Sequence, residues 1–395
     1  MRMIGRSRFH PATLAVLAGV ACVALVAAAS DASPAPEIDT PELQVERGRQ
    51  QVAEHGCGDC HGGFANPAAE GFLAGVTDTA EFAQIGEFRT WARNLTPDDA
   101  TGIGRFSERQ IFNALRYGLR PGETPDVEIT SATPGQGNFP AQPKYLAPPM
   151  PWPAWRHMSD QQLMDIAAYL KRGLKPVTNR VPDSEGPPDF WASDYTVDMF
   201  GTYPLPPFPA AAETAPPTDR REEVERGRVL VVSHACADCH GGFANPESPV
   251  FLQGVTDSLQ IFEVGPFKTR PRNLTPDNTT GLGRFSERQI FNALRFGLRP
   301  GETEDVEITS MTPGEGNFPM YPKYLAPPMP WIAFRHMSDQ ELRDIAAYLK
   351  NGLRPMSNHV EDSEGPPDFW ASEYTPEKIG TYPLPAFPTS NEVRQ

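Results

Sequence analysis

The spacing of apolar positions predicts three helices in the first half of the chain. The first covers residues 43–55, with Thr40 as its N-cap and a proline at the first helical position. The second follows Ser107, which has a glutamine three residues later in a capping-box pattern, and it ends at Gly118. The third follows Ser159 and carries leucine, isoleucine and alanine on one face. These faces are expected to pack together as a helical core.

The second half repeats these patterns, with helices predicted over residues 224–234 and after Ser286 and Ser338. The chain also contains 44 prolines and 33 glycines, which predict long ordered loops between relatively few helices. No run of alternating apolar and polar residues indicates a sheet. The predicted fold is therefore mainly α, with long Pro/Gly-rich loops.

A constant offset of 179 positions relates the two halves, as seen in the pairs Cys57/Cys236, Asn94/Asn273, Met150/Met329 and Trp191/Trp370. Such a period is too long for a solenoid repeat and favours a duplicated domain. We assign the copies to residues 41–209 and 220–388. Residues 210–219 are rich in alanine, proline and threonine and are interpreted as a short linker.

The N-terminus has the pattern of an export signal at residues 1–29. Arg2, Arg6 and Arg8 precede an uncharged stretch that ends in small residues, and cleavage is predicted near Ala29. The alternative is a retained membrane anchor, since residues 12–29 carry no charge. Either interpretation directs the protein out of the cytoplasm, and the first makes it periplasmic.

The formal net charge of −15 argues against a nucleic acid or an anionic membrane surface as partner. Membrane attachment is expected only if the N-terminal segment is retained.

Residues 57–61 and 236–240 both have the sequence Cys-x-x-Cys-His, which is typical of covalent attachment of c-type haem. Two thiols one helical turn apart can form thioethers with the two vinyl groups of a haem, and the adjacent imidazole can reach the iron. A zinc ribbon would need its second cysteine pair 15 to 20 residues away, and a thioredoxin-like site would need a different strand and helix context. We therefore predict two covalently bound haems. Their attachment residues are Cys57, Cys60, Cys236 and Cys239, and the proximal iron ligands are His61 and His240.

A second iron ligand should recur at the same offset, and among the methionines only Met150/Met329 and Met158/Met337 do so. Met158 and Met337 directly precede helix N-caps, where a hydrophobic staple is the simpler role. Met150 and Met329 lie in Ala-Pro-Pro-Met-Pro-Trp, whose prolines predict a stiff, extended loop. We predict these two as the distal ligands, and packing beside the following tryptophan is the alternative.

The recurring histidines are expected to have other roles. His55 and His234 precede their cysteines on the proximal side and are interpreted as surface or packing residues. His157 and His336 are interpreted as solvated or capping residues.

With these motifs the chain resembles class I cytochromes c, in particular the haem domains of cytochrome subunits of membrane-bound alcohol and sugar-acid dehydrogenases. The resemblance also includes Asn-Leu-Thr-Pro-Asp at 94–98, Pro-Met-Pro-Trp at 149–152 and the last helix, with their copies in the second half. It implies a tandem pair of class I cytochrome c-like domains in which Met150 and Met329 are the distal ligands. Each half is longer than a minimal haem module, with added segments at 135–144 and 183–195.

The resemblance further implies a crossing of the first and last helices at a small residue, for which Gly48 against Tyr169 and Gly227 against Tyr348 are the candidates. Arg93 and Arg272, which precede the Asn-Leu-Thr-Pro segments, are candidates for pairing with haem propionates, and the alternative is that they are exposed surface arginines.

Histidine and methionine together fill both axial positions of a haem iron and leave none for a substrate. The expected function is electron transfer in the periplasm, between a dehydrogenase or other redox donor and a respiratory acceptor, with a dehydrogenase catalytic subunit as a candidate partner. The alternative is a haem enzyme, such as a two-haem peroxidase or a thiosulfate-oxidising cytochrome. A third interpretation is a structural subunit whose haems dock it to a larger dehydrogenase.

Overall fold

The computed structural model describes residues 39–78, 83–256 and 261–394. The predicted export signal at 1–29 lies outside these residues. The first half contains six helices among the described residues: α1 (Pro41–Glu54), α2 (Cys57–His61), α3 (Glu108–Tyr117), α4 (Trp152–Trp155), α5 (Asp160–Ala168) and α6 (Val197–Phe200). The second half contains α7 (Arg221–Ser233), α8 (Cys236–His240), α9 (Glu287–Phe296), α10 (Trp331–Phe334), α11 (Asp339–Asn351) and α12 (Pro376–Ile379). The predicted mainly helical architecture is confirmed.

Five of the six long helices begin at a side-chain cap, and the exception is α7, which follows Arg220 without one and begins at Arg221 instead of residue 224. The Thr40 hydroxyl accepts a hydrogen bond from the Leu43 amide at 3.2 Å at the start of α1. Complete capping boxes open α3 at Ser107 and α5 at Ser159. Their counterparts α9 and α11 open in the same way. These signals lie within four residues of sequence, and local sequence therefore predicts the helix starts.

Two short hairpins were not predicted from the sequence. Strands β1 (Ala83–Ile85) and β2 (Phe88–Thr90) pair antiparallel, as do β3 (Phe262–Val264) and β4 (Phe267–Thr269). Each strand has only three residues, which is too short for an alternating pattern to stand out.

The last helix differs between the halves. In the first half α5 stops at Ala168 and the chain continues as a π-helical turn, Tyr169–Gly173. In the second half α11 runs without interruption to Asn351.

Helices α1 and α5 cross at Gly48, as the resemblance implied. A Cβ atom on Gly48 would lie 1.8 Å from the Asp165 carbonyl oxygen and 2.9 Å from Tyr169 Cβ. Only glycine allows the two backbones to approach this closely. The Arg47 guanidinium adds a bidentate ion pair to the Asp165 carboxylate, with an Nε–Oδ2 distance of 2.7 Å. The second half repeats both features at Gly227 and at the Arg226–Asp344 pair.

The segment that ends each half packs on the other half. Residues 206–214 lie on the second half, where the Arg228 guanidinium donates to the Pro206 carbonyl and to the Glu213 carboxylate. Residues 385–393 lie on the first half, where Arg49 makes the corresponding bonds to Pro385 and Glu392. The two halves therefore exchange their terminal segments.

Residues 210–219, which were predicted to be a linker, include two buried residues, Ala210 and Glu213. They end in a 3-10 turn, Thr218–Arg220, that leads into α7. Within the part of the chain that the structure describes, none of the helices has the length and apolar character needed to cross a membrane.

Candidate haem-binding sites

Each Cys-x-x-Cys-His sequence forms a five-residue helix, α2 or α8, between residues of positive φ. Gly56 (φ 63°) precedes α2 and Gly62 (φ 100°) follows it, and these left-handed residues set the short helix off from α1. Cys57 is half-buried and Cys60 is exposed, and Cys236 and Cys239 have the same exposures. Both thiols of each pair are therefore reachable from outside the protein core, which fits covalent attachment of a haem.

The histidine of each motif is held in one tautomer by a backbone carbonyl. His61 Nδ1 lies 2.6 Å from the Arg93 carbonyl oxygen, and His240 Nδ1 lies 2.6 Å from that of Arg272. Because a carbonyl oxygen can only accept, Nδ1 carries the proton and Nε2 keeps its lone pair. Burial lowers the pKa of both imidazoles, although the carbonyl hydrogen bond opposes this. Neutral imidazole with a free Nε2 is the form that binds iron.

The Asn-Leu-Thr-Pro segment positions that carbonyl, a role that the sequence did not reveal. The Asn94 side-chain amide donates to the Val177 carbonyl at 2.7 Å, and its oxygen accepts the Thr96 amide at 2.9 Å. The Leu95 amide donates to the Leu73 carbonyl at 2.8 Å. Arg93 is thus followed by a segment that is fixed from several sides, and Asn273 makes the same bonds in the second half.

Met150 lies at the edge of the same hydrophobic core as the first cysteine. Both are half-buried against this core, together with Leu95, Ile103 and Phe106. In the second half Met329 and Cys236 share a core edge with Leu274, Leu282 and Phe291. Half-buried apolar side chains around a cysteine and a methionine suit a large planar apolar ligand that would cover them.

The loop that carries Met150 is a turn and not the predicted extended segment. The Met150 amide donates to the Ala147 carbonyl at 3.2 Å, and the Trp152 amide donates to the Met150 carbonyl at 2.9 Å. The prediction of an extended loop was wrong because Met150 and Trp152, unlike the three prolines beside them, keep amides that can close turns.

Aromatic stacking fixes this turn. Trp152 stacks on Tyr145 with 5.6 Å between ring centroids and 1° between ring planes. A Cβ on Gly118 would lie 2.2 Å from the Trp152 ring. Gly118 therefore both ends α3 in a left-handed conformation and makes room for the tryptophan. Tyr195, from the added segment 183–195, meets Trp152 edge-on and donates from its hydroxyl to the Leu146 carbonyl at 3.2 Å.

The remaining candidate residues have partners within the protein. The Arg93 guanidinium, which was a candidate for pairing with a propionate, donates to the Pro182 carbonyl at 2.7 Å and to the Ser184 hydroxyl at 2.6 Å. These two acceptors use hydrogen-bond donors that a propionate would need. Arg272 is held by the equivalent segment. Met158 is buried in the same core as Leu163, in agreement with a hydrophobic staple.

The recurring histidines outside the motifs are packing residues. His55 and His234 stack on each other with ring centroids 4.1 Å apart. His157 and His336 were interpreted as solvated or capping residues, and solvation is wrong for His336, which is only 6% exposed, while His157 is half-buried. Both are covered by the segments that follow them, and Tyr203 and Tyr382 contact their rings.

No family model matches the chain. Several named proteins are similar to it. It is 28% identical over 268 residues to the cytochrome c subunit of a quinone-type alcohol dehydrogenase from Gluconacetobacter polyoxogenes. The aligned region covers 66% of this chain and 47% of the relative. It is 25% identical over 336 residues to the gluconate 2-dehydrogenase cytochrome c subunit of Pantoea cypripedii. The aligned region covers 80% of this chain and 61% of that relative.

The third relative is a dihaem c-type cytochrome of Cereibacter sphaeroides, 26% identical over 353 residues, which covers 84% of this chain and 96% of the relative. The chain thus spans about half the length of the alcohol dehydrogenase subunit but nearly the whole length of the dihaem cytochrome. The chain is therefore a homologue, over most of its length, of cytochrome c subunits of dehydrogenases and of a dihaem c-type cytochrome.

Proposed function

We propose that this protein is a two-haem c-type cytochrome that transfers electrons in the periplasm between a dehydrogenase or other donor and a respiratory acceptor. In this proposal residues 41–209 and 220–388 are tandem class I cytochrome c-like domains joined by residues 210–219. The observation that carries it is the repeated Cys-x-x-Cys-His helix, in which a carbonyl at 2.6 Å leaves the histidine Nε2 free.

The haem supplies reversible one-electron chemistry of iron when it is bound. Cys57 and Cys60 would hold one haem and Cys236 and Cys239 the other. His61 and His240 would be the proximal ligands, and the Arg93 and Arg272 carbonyls orient their rings. Met150 and Met329 would be the distal ligands, on turns fixed by aromatic stacking. Loops held in this way keep a thioether in place through repeated changes of redox state.

Two occupied axial positions favour an electron carrier over an enzyme, because a peroxidase needs an accessible distal position. Both halves have the same methionine-bearing turn, and neither is distinguished as a site for substrate. The names of the dehydrogenase relatives support a dehydrogenase catalytic subunit as partner. The net charge of −15 favours a partner with a basic docking surface.

The test is spectroscopy on protein produced with periplasmic export and haem-attachment machinery. We expect two haems per chain that survive denaturation, a low-spin six-coordinate spectrum in both redox states, and no reaction with peroxide. Replacing both cysteines of one motif (Cys57→Ala with Cys60→Ala, or Cys236→Ala with Cys239→Ala) should remove one haem and leave the other. Colourless protein, or haem lost on denaturation, would refute the proposal, and a high-spin ferric spectrum with peroxide turnover would favour the enzyme.

A further inference from the structure

Three side chains that could bind a metal meet where α1 and α7 end, with Glu54 and His234 buried and His55 half-buried. Glu54 is the last residue of α1, His55 follows it, and His234 follows α7. One ligand atom from each of the three lies within 4.8 Å of the other two. Because Glu54 and His55 come from the first half and His234 from the second, the cluster joins the halves.

Both histidines offer an unprotonated nitrogen to this cluster. Nδ1 of His55 lies 2.9 Å from the Gln51 carbonyl oxygen, and Nδ1 of His234 lies 2.9 Å from that of Leu230. Each Nδ1 therefore carries the proton. Among the described residues neither Nε2 atom has a hydrogen-bond partner, although both are buried. An orphaned buried nitrogen costs free energy that a bound ligand would recover.

Glu54 completes the set of donors. Its side chain is only 2% exposed, and the Gln50 and Gln51 amides donate to its two oxygens at 3.1 and 2.6 Å. Burial raises its pKa to about 8, which reflects the cost of an uncompensated carboxylate at this position. Burial also lowers the pKa of His234 to about 4, and with the proton on Nδ1 its Nε2 therefore keeps a free lone pair at neutral pH.

Among the residues that the structure describes, this cluster occurs once, although the surrounding sequence is repeated. The residue at the Glu54 position of the second half is Ser233. The carboxylate is thus a feature of one copy only, and it lies beside the contact of the two histidines.

We propose that Glu54, His55 and His234 bind one divalent cation of the zinc class and that this ion ties the two halves together. Two imidazole nitrogens and one carboxylate oxygen are donors that Zn²⁺ prefers, and water can complete a tetrahedron. The rings are now stacked with 20° between their planes. Two nitrogen ligands of one tetrahedral zinc are about 3.3 Å apart. On binding, the two stacked rings therefore tilt so that both Nε2 lone pairs point at the ion.

Zinc titration of the complete haem-loaded protein after chelator treatment tests this site. We expect one Zn²⁺ per chain by calorimetry and elemental analysis, two imidazole ligands by zinc-edge X-ray absorption, and a higher melting temperature with zinc. His234→Asn keeps a donor for the Leu230 carbonyl but removes Nε2, and Glu54→Gln removes the charge at constant shape. Each should weaken zinc binding by at least about tenfold.

Two matched variants control for other binding. Ser233→Ala alters the position that corresponds to Glu54, and His359→Asn removes an exposed histidine that could bind zinc adventitiously. Both should leave the affinity unchanged. No binding, or equal binding by the His234→Asn and parent proteins, would overturn the proposal, and Glu54→Gln decides the matter if His234→Asn does not accumulate. The haem spectrum is recorded on each sample, and therefore failure of the zinc site is distinguishable from failure of the haem assignment.

Discussion

Arg49 in the first helix and Glu392 near the end of the chain form a buried ion pair, with a distance of 2.6 Å between Nε and Oε1. They are 343 residues apart in sequence. The Tyr169 hydroxyl donates to the same carboxylate oxygen at 2.6 Å. Arg228, Glu213 and Tyr348 form the equivalent group in the second half. Each half thus depends on a carboxylate from the segment that ends the other half or joins the two.

Replacing Glu392 with glutamine should destabilise the first half. The Arg49 guanidinium, 8% exposed, would stay buried without a counterion. Removing one partner of a buried ion pair costs about 3–5 kcal/mol. We expect a loss of this order in the free energy of unfolding, measured by denaturant titration, and a similar loss for Glu213→Gln. Arg394→Ala breaks an exposed pair with Glu46 and should cost less than about 1 kcal/mol. Equal effects of Glu392→Gln and Arg394→Ala would contradict this account.

Local signals in the sequence predict much of the fold. The exchange of terminal segments between the halves has no local signal in the sequence. Ser107 and Ser159 identify helix starts because a cap and its partner are three residues apart. Residues 210–219 have the composition of a linker, and no local pattern shows that Glu213 is buried beside Arg228. A contact across hundreds of residues depends on the arrangement of whole helices.

The residues of the candidate site likewise fall into those that local sequence identifies and those that only the folded chain reveals. The predicted haem-binding cysteines and histidines are recognisable because thioether attachment of a haem requires a fixed spacing. The carbonyl of Arg93 that orients His61 is not recognisable, because any residue provides a carbonyl and only the folded chain brings it to 2.6 Å.

Introducing a methyl group at Gly48 should separate the first and last helices. The new Cβ would meet backbone, the Asp165 carbonyl oxygen at 1.8 Å, which cannot rotate away. Overpacking of this kind costs about 1–3 kcal/mol, and we expect Gly48→Ala and Gly227→Ala each to lower the free energy of unfolding by at least this amount. Gly122→Ala is the matched control, because its Cβ would touch only the Phe106 ring at 3.8 Å. Wild-type stability in Gly48→Ala would show that the helices do not cross at this residue.

Two histidines with lowered pKa values, His157 and His336, should make the protein less stable in acid. Burial, followed by nearby arginines, lowers the pKa of His157 and His336 to about 3. An unfolded histidine titrates near 6.5, so between about pH 3 and 6.5 the unfolded chain binds more protons than the folded one. Stability from these groups is complete above pH 6.5 and is lost as the pH falls, by up to about 1.4 kcal/mol per pH unit for each histidine.

The pH dependence can be isolated by substitution. His336→Gln keeps a hydrogen-bond acceptor for Arg335 but cannot titrate in this pH range. The difference in unfolding free energy between pH 7 and pH 4 should therefore be smaller in this variant than in the parent. His157→Gln should behave likewise. The exposed His359→Gln should leave the difference unchanged. If His336→Gln and His157→Gln follow the parent curve as His359→Gln does, these two rings do not cause acid sensitivity.

Electrostatic attraction should govern reduction by small charged molecules. With a net charge of −15, the protein should be reduced more slowly by the cation hexaammineruthenium(II) as ionic strength rises, because salt screens the attraction. Ferrocyanide, an anion, should show the opposite trend in stopped-flow measurements. The same salt dependence for both reagents would exclude the acidic surface as the cause.

Methionine substitution tests iron ligation in each half separately. If Met150 and Met329 are distal ligands, Met150→Ala and Met329→Ala should each remove about half of the near-infrared sulfur-to-iron absorption of the oxidised protein, and the double variant should remove all of it. Loss of the thioether also removes a ligand that favours reduced iron, and the potential of the affected haem should fall. Met158→Leu keeps the apolar contact with Leu163 in the core and should leave the band intact. A band that persists in the double variant would mean that another side chain binds the iron. The electron-carrier proposal depends on two occupied axial positions, and the second axial ligand would then have to be that other residue.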